Sequence, residues 1–140
     1  MKWDVLLKLR GTQSYPGQEP DVIELTTDGQ LERTENGWNL SYEESALTGM
    51  EGVMTTFRVE PGKVTLDRTG ALRSTMIFEE GVPHDSLYQL DFGALLMRIC
   101  AKKVRFEITP AGGTVDLLYT VEIEQNEAGT VDYHLEINRK

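Results

Sequence analysis

Two charged residues of opposite sign continue alternation patterns that are otherwise apolar. Glu44 has the same phase as Trp38 and Tyr42, and Arg68 has the same phase as Val64. A buried charge is costly unless it is paired. We therefore expect Glu44 and Arg68 to lie near each other, inside the fold or at its rim, together with a tyrosine hydroxyl. They would form either a polar anchor in an apolar ligand cavity or an ion pair at strand ends that water reaches.

Aromatic side chains in the same phases could line such a cavity. A buried tyrosine brings a hydroxyl that needs a hydrogen-bond partner, so several inward tyrosines favour a polar interior site. The candidate ligand-binding residues are Trp38, Tyr42, Glu44, Arg68, Tyr88, Tyr119 and Tyr133. The same residues could instead fill the interior, because a barrel of eight strands is just wide enough to be filled by its own side chains.

Residues suited to catalysis are few. His134 is expected on the polar face of the last strand, and His84 lies in a turn beside Asp85, where the two side chains can meet. Cys100 is out of phase with its apolar neighbours, so it should face outward or into a secondary contact, either as an ordinary semi-buried thiol or as one that nearby Arg98 and Lys102 make reactive. Two histidines 50 residues apart and a single cysteine do not give the clustered ligands that zinc needs. We predict no catalytic residue, no metal site and no cofactor, and the sequence favours a binding protein over an enzyme.

The overall charge argues against two classes of partner. The chain has 14 basic and 23 acidic residues, a net charge of −9, which disfavours binding to nucleic acid and to anionic membranes. One basic segment interrupts this pattern, formed by Arg98, Lys102, Lys103 and Arg105. We interpret it as the solvated face of adjacent strands, with an anion or partner patch as the alternative.

Length and segment composition predict one domain in a reducing compartment. The 140 residues suit a single domain, residues 1–140. No apolar run approaches the roughly 20 residues of a membrane-spanning helix. The start, Met1–Asp4, reaches an acid before any apolar segment of the kind that signal peptides contain. Cys100 has no partner in the chain for a disulfide, and we expect a cytoplasmic protein.

Alternation with a period of two dominates the chain and predicts an all-β fold. Apolar residues occupy every second position in segments 3–9, 38–42, 95–101, 104–108, 115–123 and 131–137, and three of the four such positions in segment 53–59. Turn pairs such as Asp28–Gly29 and Asn36–Gly37 separate alternating runs, and such pairs favour two-residue hairpins. Gly93 is expected to bend a strand. About eight to ten strands with short connections favour an antiparallel up-and-down barrel over a sandwich.

Six segments occur in an order that is typical of one family. They are Tyr42–Ser45, Lys63–Gly70, Met76–Gly81, Tyr88 with Phe92–Gly93, Leu95–Met97 and Gly113–Tyr119. The chain therefore resembles the YwiB-like proteins, a family of small bacterial proteins of unassigned function. The resemblance implies a calycin-like (lipocalin-like) β-barrel in a bacterial cytoplasm. It brings no known substrate and no catalytic residues.

The function that the sequence favours is binding of a small apolar or amphipathic ligand inside the barrel, without catalysis. The alternative is a protein-interaction or assembly module, such as a homodimer, that acts through the outer surface of the barrel.

Overall fold

The alternating segments form ten strands in the computed structural model, which describes residues 1–45, 50–90, 93–124 and 126–140. The strands are β1 (Lys2–Ser14), β2 (Asp21–Arg33), β3 (Trp38–Glu43), β4 (Val53–Glu60), β5 (Lys63–Gly70), β6 (Ser74–Phe78), β7 (Pro83–Leu90), β8 (Gly93–Thr109), β9 (Gly112–Ile123) and β10 (Asn126–Arg139). The described residues include no helix of the length and apolarity needed to cross a membrane.

All ten strands belong to one antiparallel sheet in which chain neighbours pair with each other. The order is β6-β5-β4-β3-β2-β1-β10-β9-β8-β7, so the first strand pairs with the last in the middle of the sheet. The two outer strands meet at a seam, where Arg73 and Gln89 exchange backbone hydrogen bonds of 3.1 and 2.9 Å. Ser86 at the seam also donates to the carbonyl of Thr75 at 2.6 Å. The all-β, up-and-down barrel predicted from alternation is confirmed, with ten strands in a nearly closed barrel.

Alternation places the apolar side chains inside the barrel. On β4, Val53, Thr55, Phe57 and Val59 are buried, while the residues between them are at least partly exposed. Each fully buried aliphatic or aromatic side chain contributes roughly 1.5–3 kcal/mol relative to an exposed one, so the inward set of every strand stabilises the closed form.

A bulge in β8 explains why its apolar phase changes. The inward residues are Ile99 and Ala101 before the bulge and Val104 after it. Ala101 pairs with Tyr119, but the next pair joins Lys103 to Leu118, so Lys102 is the extra residue. The bulge keeps the apolar side chains inside on both halves of a long strand.

Two of the three turn expectations need correction. Asn36–Gly37 does form the β2–β3 turn, in which the Thr34 amide donates to the Gly37 carbonyl at 2.9 Å. Asp28–Gly29 is not a turn, because both residues lie within β2. Gly93 does not bend a strand: it begins β8 and pairs with Leu90, while residues 91 and 92 lie outside the described residues.

Gly29 is required because atoms of the two neighbouring strands approach its Cα closely, not because it forms a turn. A Cβ atom there would lie 2.8 Å from Leu7 Cδ1 and 2.8 Å from the Ser41 carbonyl oxygen. Because a backbone oxygen on the neighbouring strand cannot move aside easily, β2 has room only for glycine at this position.

We expect Gly29→Ala to lower the free energy of unfolding by about 1–3 kcal/mol, as overpacking typically does. Gly11→Ala is the matched control on β1, because its Cβ would meet Tyr133 Cδ2 at an ordinary 3.7 Å. The control should be neutral or slightly stabilising, since it only reduces the freedom of the unfolded chain. Chemical denaturation measures both, and equal effects would contradict the close-approach explanation.

Candidate functional site

The barrel is filled at one end and hollow at the other. At the filled end, the beginning of β1 and the end of β4 bring Val5, Leu7 and Val59 into the core. At the other end lies a cavity of about 530 Å³. Its walls come from the ends of odd-numbered strands, such as Arg68 on β5, and the beginnings of even-numbered strands, such as Met76 on β6.

An aromatic layer separates the two halves. The hydroxyls of Tyr42 on β3 and Tyr133 on β10 lie 3.4 Å apart, and either one can donate. Two strands lie between β3 and β10 in the sheet, so this contact reaches across the interior. The ring of Phe57 lies below both, with centroid distances of 6.5 Å to Tyr42 and 5.8 Å to Tyr133. Both tyrosines line the cavity and form part of its floor.

A second aromatic pair extends the floor. The rings of Phe78 and Tyr119 are 4.7 Å apart, Phe78 is fully buried, and Tyr119 lines the cavity. The three tyrosines thus pack their rings against core aromatic residues and also line the cavity.

Four strands contribute a polar row across the wall. Tyr42 pairs with Thr55, Thr55 with Arg68, and Arg68 with Ser74, so these positions follow one another from β3 to β6. Thr55 Oγ1 donates to Glu44 Oε2 at 2.5 Å in this row. Thr55, Ser74 and Glu44 are all buried, so their polar atoms cannot rely on bulk water.

The Arg68 guanidinium lines the cavity and retains donor capacity. Its Nη1 contacts Met76 Sδ, a weak acceptor, at 3.9 Å. Its Nε is buried and has no hydrogen-bond partner among the described residues, and the same is true of Ser74 Oγ. Neither of these two atoms is reached by solvent, and Ser74 does not line the cavity, so Arg68 is the residue of this pair that a ligand can contact.

Burial keeps the floor tyrosines protonated. It raises the pKa of Tyr119 to about 12 and also raises the pKa values of Tyr42 and Tyr133 well above their ordinary value. The carboxylate of Glu44 also raises the pKa of Tyr42, while the positive charge of Arg68 partly offsets the shift for all three phenols. At physiological pH these hydroxyls therefore act as neutral donors and acceptors, not as bases or nucleophiles.

Comparison with known proteins agrees with this architecture. The family model described as "Domain of unknown function (DUF1934)" matches residues 7–137. The chain belongs to the DUF1934 family. The uncharacterized β-barrel protein YwiB of Bacillus subtilis (strain 168) is 27% identical over 103 residues, which are 74% of this chain and 71% of YwiB.

A solved structure of a relative has the same fold. The crystal structure of ywiB protein from Bacillus subtilis matches with a TM-score of 0.83 at 22% identity, covering 96% of this chain and 92% of that one. The resemblance to YwiB-like proteins and the barrel fold are thus confirmed for this DUF1934 member, and the descriptions of these relatives assign no ligand or reaction.

The structure brings together six of the seven candidate residues. Tyr42, Glu44, Arg68, Tyr88, Tyr119 and Tyr133 all line the cavity. Trp38 does not line it, and its place in the candidate set is corrected. It lies at the filled end, with its ring 6.0 Å from that of Trp3 and 5.2 Å from the Arg33 guanidinium carbon. Ligand binding by the other six stays a prediction.

The apolar wall was not nominated from the sequence. Ile23, Met50, Met76, Leu95, Met97 and Val121 line the cavity. Several of them share the inward phase of their strands, and all lie towards the same end of the barrel. The signal that could have found them is inward phase combined with position near that end.

The remaining polar groups form surface pairs. His84 Nε2 contacts Glu79 Oε1 at 3.0 Å and not Asp85, which instead accepts from Arg98 Nε at 2.9 Å. His134 Nδ1 contacts Asp116 Oδ1 at 2.5 Å across the β9–β10 pair. In the basic segment, Arg105 pairs with Glu80 and Lys102 and Lys103 are exposed, as expected for a solvated face. The described residues hold no group of three potential metal ligands.

The raised tyrosine pKa values predict loss of stability at alkaline pH. An unfolded tyrosine loses its proton near pH 10, whereas Tyr119 in the folded protein keeps it until about pH 12. The unfolded chain is therefore increasingly favoured as pH rises from about 10 to about 12. Tyr119→Phe should reduce this loss by roughly 2 kcal/mol, measured by denaturant titration at a series of pH values. An unchanged pH dependence would contradict the assignment.

Proposed function

We propose that the protein binds a small amphipathic ligand in the hollow half of the barrel and catalyses no reaction. The observation that carries this proposal is the cavity of about 530 Å³, whose size is within the range of small-molecule sites. Apolar walls with a few polar groups at one place are the usual composition of such sites.

The mouth of the cavity supports entry of an apolar group from solvent. Ile23 and Leu95 line the cavity, yet 40% and 38% of their surfaces are exposed. Burying them against a ligand tail would be favourable at about 25 cal/mol per Å² of apolar surface removed from water. The polar floor would meanwhile bind the other end of the ligand.

The chemistry of the floor favours binding over catalysis. Its phenols are neutral, and both histidines lie outside the set of cavity-lining residues. The charged residues among the described lining are Glu44 and Arg68. A binding role needs only their charge and hydrogen bonds, whereas acid–base catalysis would need a group that titrates near the working pH.

An assembly role through the outer surface is the second candidate. Leu87 and Leu96 pair across β7 and β8 on the outer face, with 48% and 46% of their surfaces exposed. An apolar pair of this kind could join two copies of the barrel.

We further propose a bacterial cytoplasmic location, supported by the free thiol of Cys100. We also propose a calycin-like kinship, supported by the barrel itself.

Native mass spectrometry on protein purified without denaturation tests both candidates. We expect a monomer with an extra mass that leaves on denaturation, because a ligand enclosed by the barrel should survive purification. A dimer with nothing bound would instead favour the outer surface.

A neutral fluorophore tests the cavity directly. N-phenyl-1-naphthylamine should bind, and Met97→Trp should weaken binding at least about tenfold, or ~1.4 kcal/mol, because the indole takes up cavity volume. Leu96→Trp is the matched control, since residues 96 and 97 point to opposite faces of β8 and Leu96 is exposed. Equal binding by both variants, or none by the original protein, would contradict the proposal.

A further inference from the structure

We infer that the Arg68 guanidinium, with the phenols around it, forms a carboxylate-binding site, so the ligand is a monocarboxylic acid with an apolar tail. This inference rests on the proposed function and adds the chemical class and the orientation of the ligand. The carboxylate would lie at the floor beside Arg68, and the tail would run along Met97 and Val121 towards the mouth.

The Arg68 guanidinium is the cation that lines the cavity. Its Nη1 contacts the weak acceptor Met76 Sδ at 3.9 Å. Its Nε and the nearby Ser74 Oγ are buried, are not reached by solvent and have no hydrogen-bond partner among the described residues, so neither is counted as a donor to a ligand. A planar guanidinium donates hydrogen bonds whose geometry matches the two oxygens of a carboxylate.

The phenols add neutral donors around the same cation. Tyr42, Tyr119 and Tyr133 line the cavity, and the charge of Arg68 acts on all three hydroxyls. A group that accepts several hydrogen bonds and carries negative charge fits this set better than an alcohol or an amine.

Glu44 limits the ligand to a single negative charge. Its carboxylate accepts a hydrogen bond from Thr55 on the same wall. Glu44 and Arg68 are the two charged lining residues that the structure describes, and their charges sum to zero. A monoanion beside Arg68 gains a short charge-assisted contact, whereas a dianion would also meet the repulsion of Glu44. The apolar wall gives the tail its own favourable burial.

The test compares two ligands that differ only at the polar end. Decanoate and decan-1-ol are titrated into protein loaded with N-phenyl-1-naphthylamine, and displacement gives both affinities. At about pH 8, where decanoate is ionised, we expect it to bind about 10- to 100-fold more tightly than decan-1-ol, the range typical of hydrogen bonds to charged groups.

Two variants test whether Arg68 causes the preference for decanoate over decan-1-ol. Arg68→Met should bring the ratio of the two affinities to about one, because the charged donor is lost while the apolar cavity remains. Arg58→Met is the matched control, since Arg58 lies on the outer face and pairs with Asp67 at 2.8 Å; it should keep the full preference. Arg68→Gln also removes the positive charge but keeps a polar side chain, and it should reduce the preference at least about tenfold; it serves as the second variant should Arg68→Met fail to fold.

The outcomes separate this inference from the proposed function. If the fluorophore and both ligands fail to bind, the proposed function and the carboxylate site are both overturned. If the ligands bind with equal affinity, or if Arg68→Met and Arg68→Gln keep the preference, the cavity remains a binding site and the carboxylate assignment alone is wrong.

Discussion

The pairing of β1 with β10, together with the seam between Arg73 and Gln89, closes ten strands around one interior. The width of a barrel increases with strand number, and eight strands are already just filled by side chains. Ten strands therefore enclose more space than alternating aliphatic residues occupy. The chain fills one half with large apolar side chains such as Phe57 and Phe78 and leaves the other half hollow.

The crossed tyrosine pair shows how a wide barrel can be divided. Tyr42 and Tyr133 start from strands on different walls and reach far enough for their hydroxyls to approach within 3.4 Å. Because each ring packs on the apolar core and both residues line the cavity, one residue type closes the core and contributes polar groups to the floor. A phenylalanine pair would close the core equally well but would leave no polar groups at the floor.

Alternation predicts which side chains face inward, but it does not fix their height along the barrel. Trp38 and Tyr42 share a phase on β3, yet Trp38 pairs with Val59 at the filled end and Tyr42 pairs with Thr55 beside the cavity. Four residues of strand separate them, roughly 13 Å at the usual rise. Height depends on register between strands, which comes from turns, bulges and close approaches. Gly29 shows the difficulty, because the same dipeptide suits a hairpin turn and a crowded strand interior.

The net charge of the protein and the local positive charge of Arg68 would act on an acidic ligand in opposite directions. The chain carries a net charge of −9, so long-range attraction would not draw an anion towards the barrel. Under the proposed function the short-range features would act differently: an apolar rim at Ile23 and Leu95 would favour the tail first, and Arg68 would act only once the ligand had reached the floor. Selection by Arg68 would therefore depend on slow release more than on fast capture. Such a site suits retention of an amphipathic molecule better than rapid sampling of it.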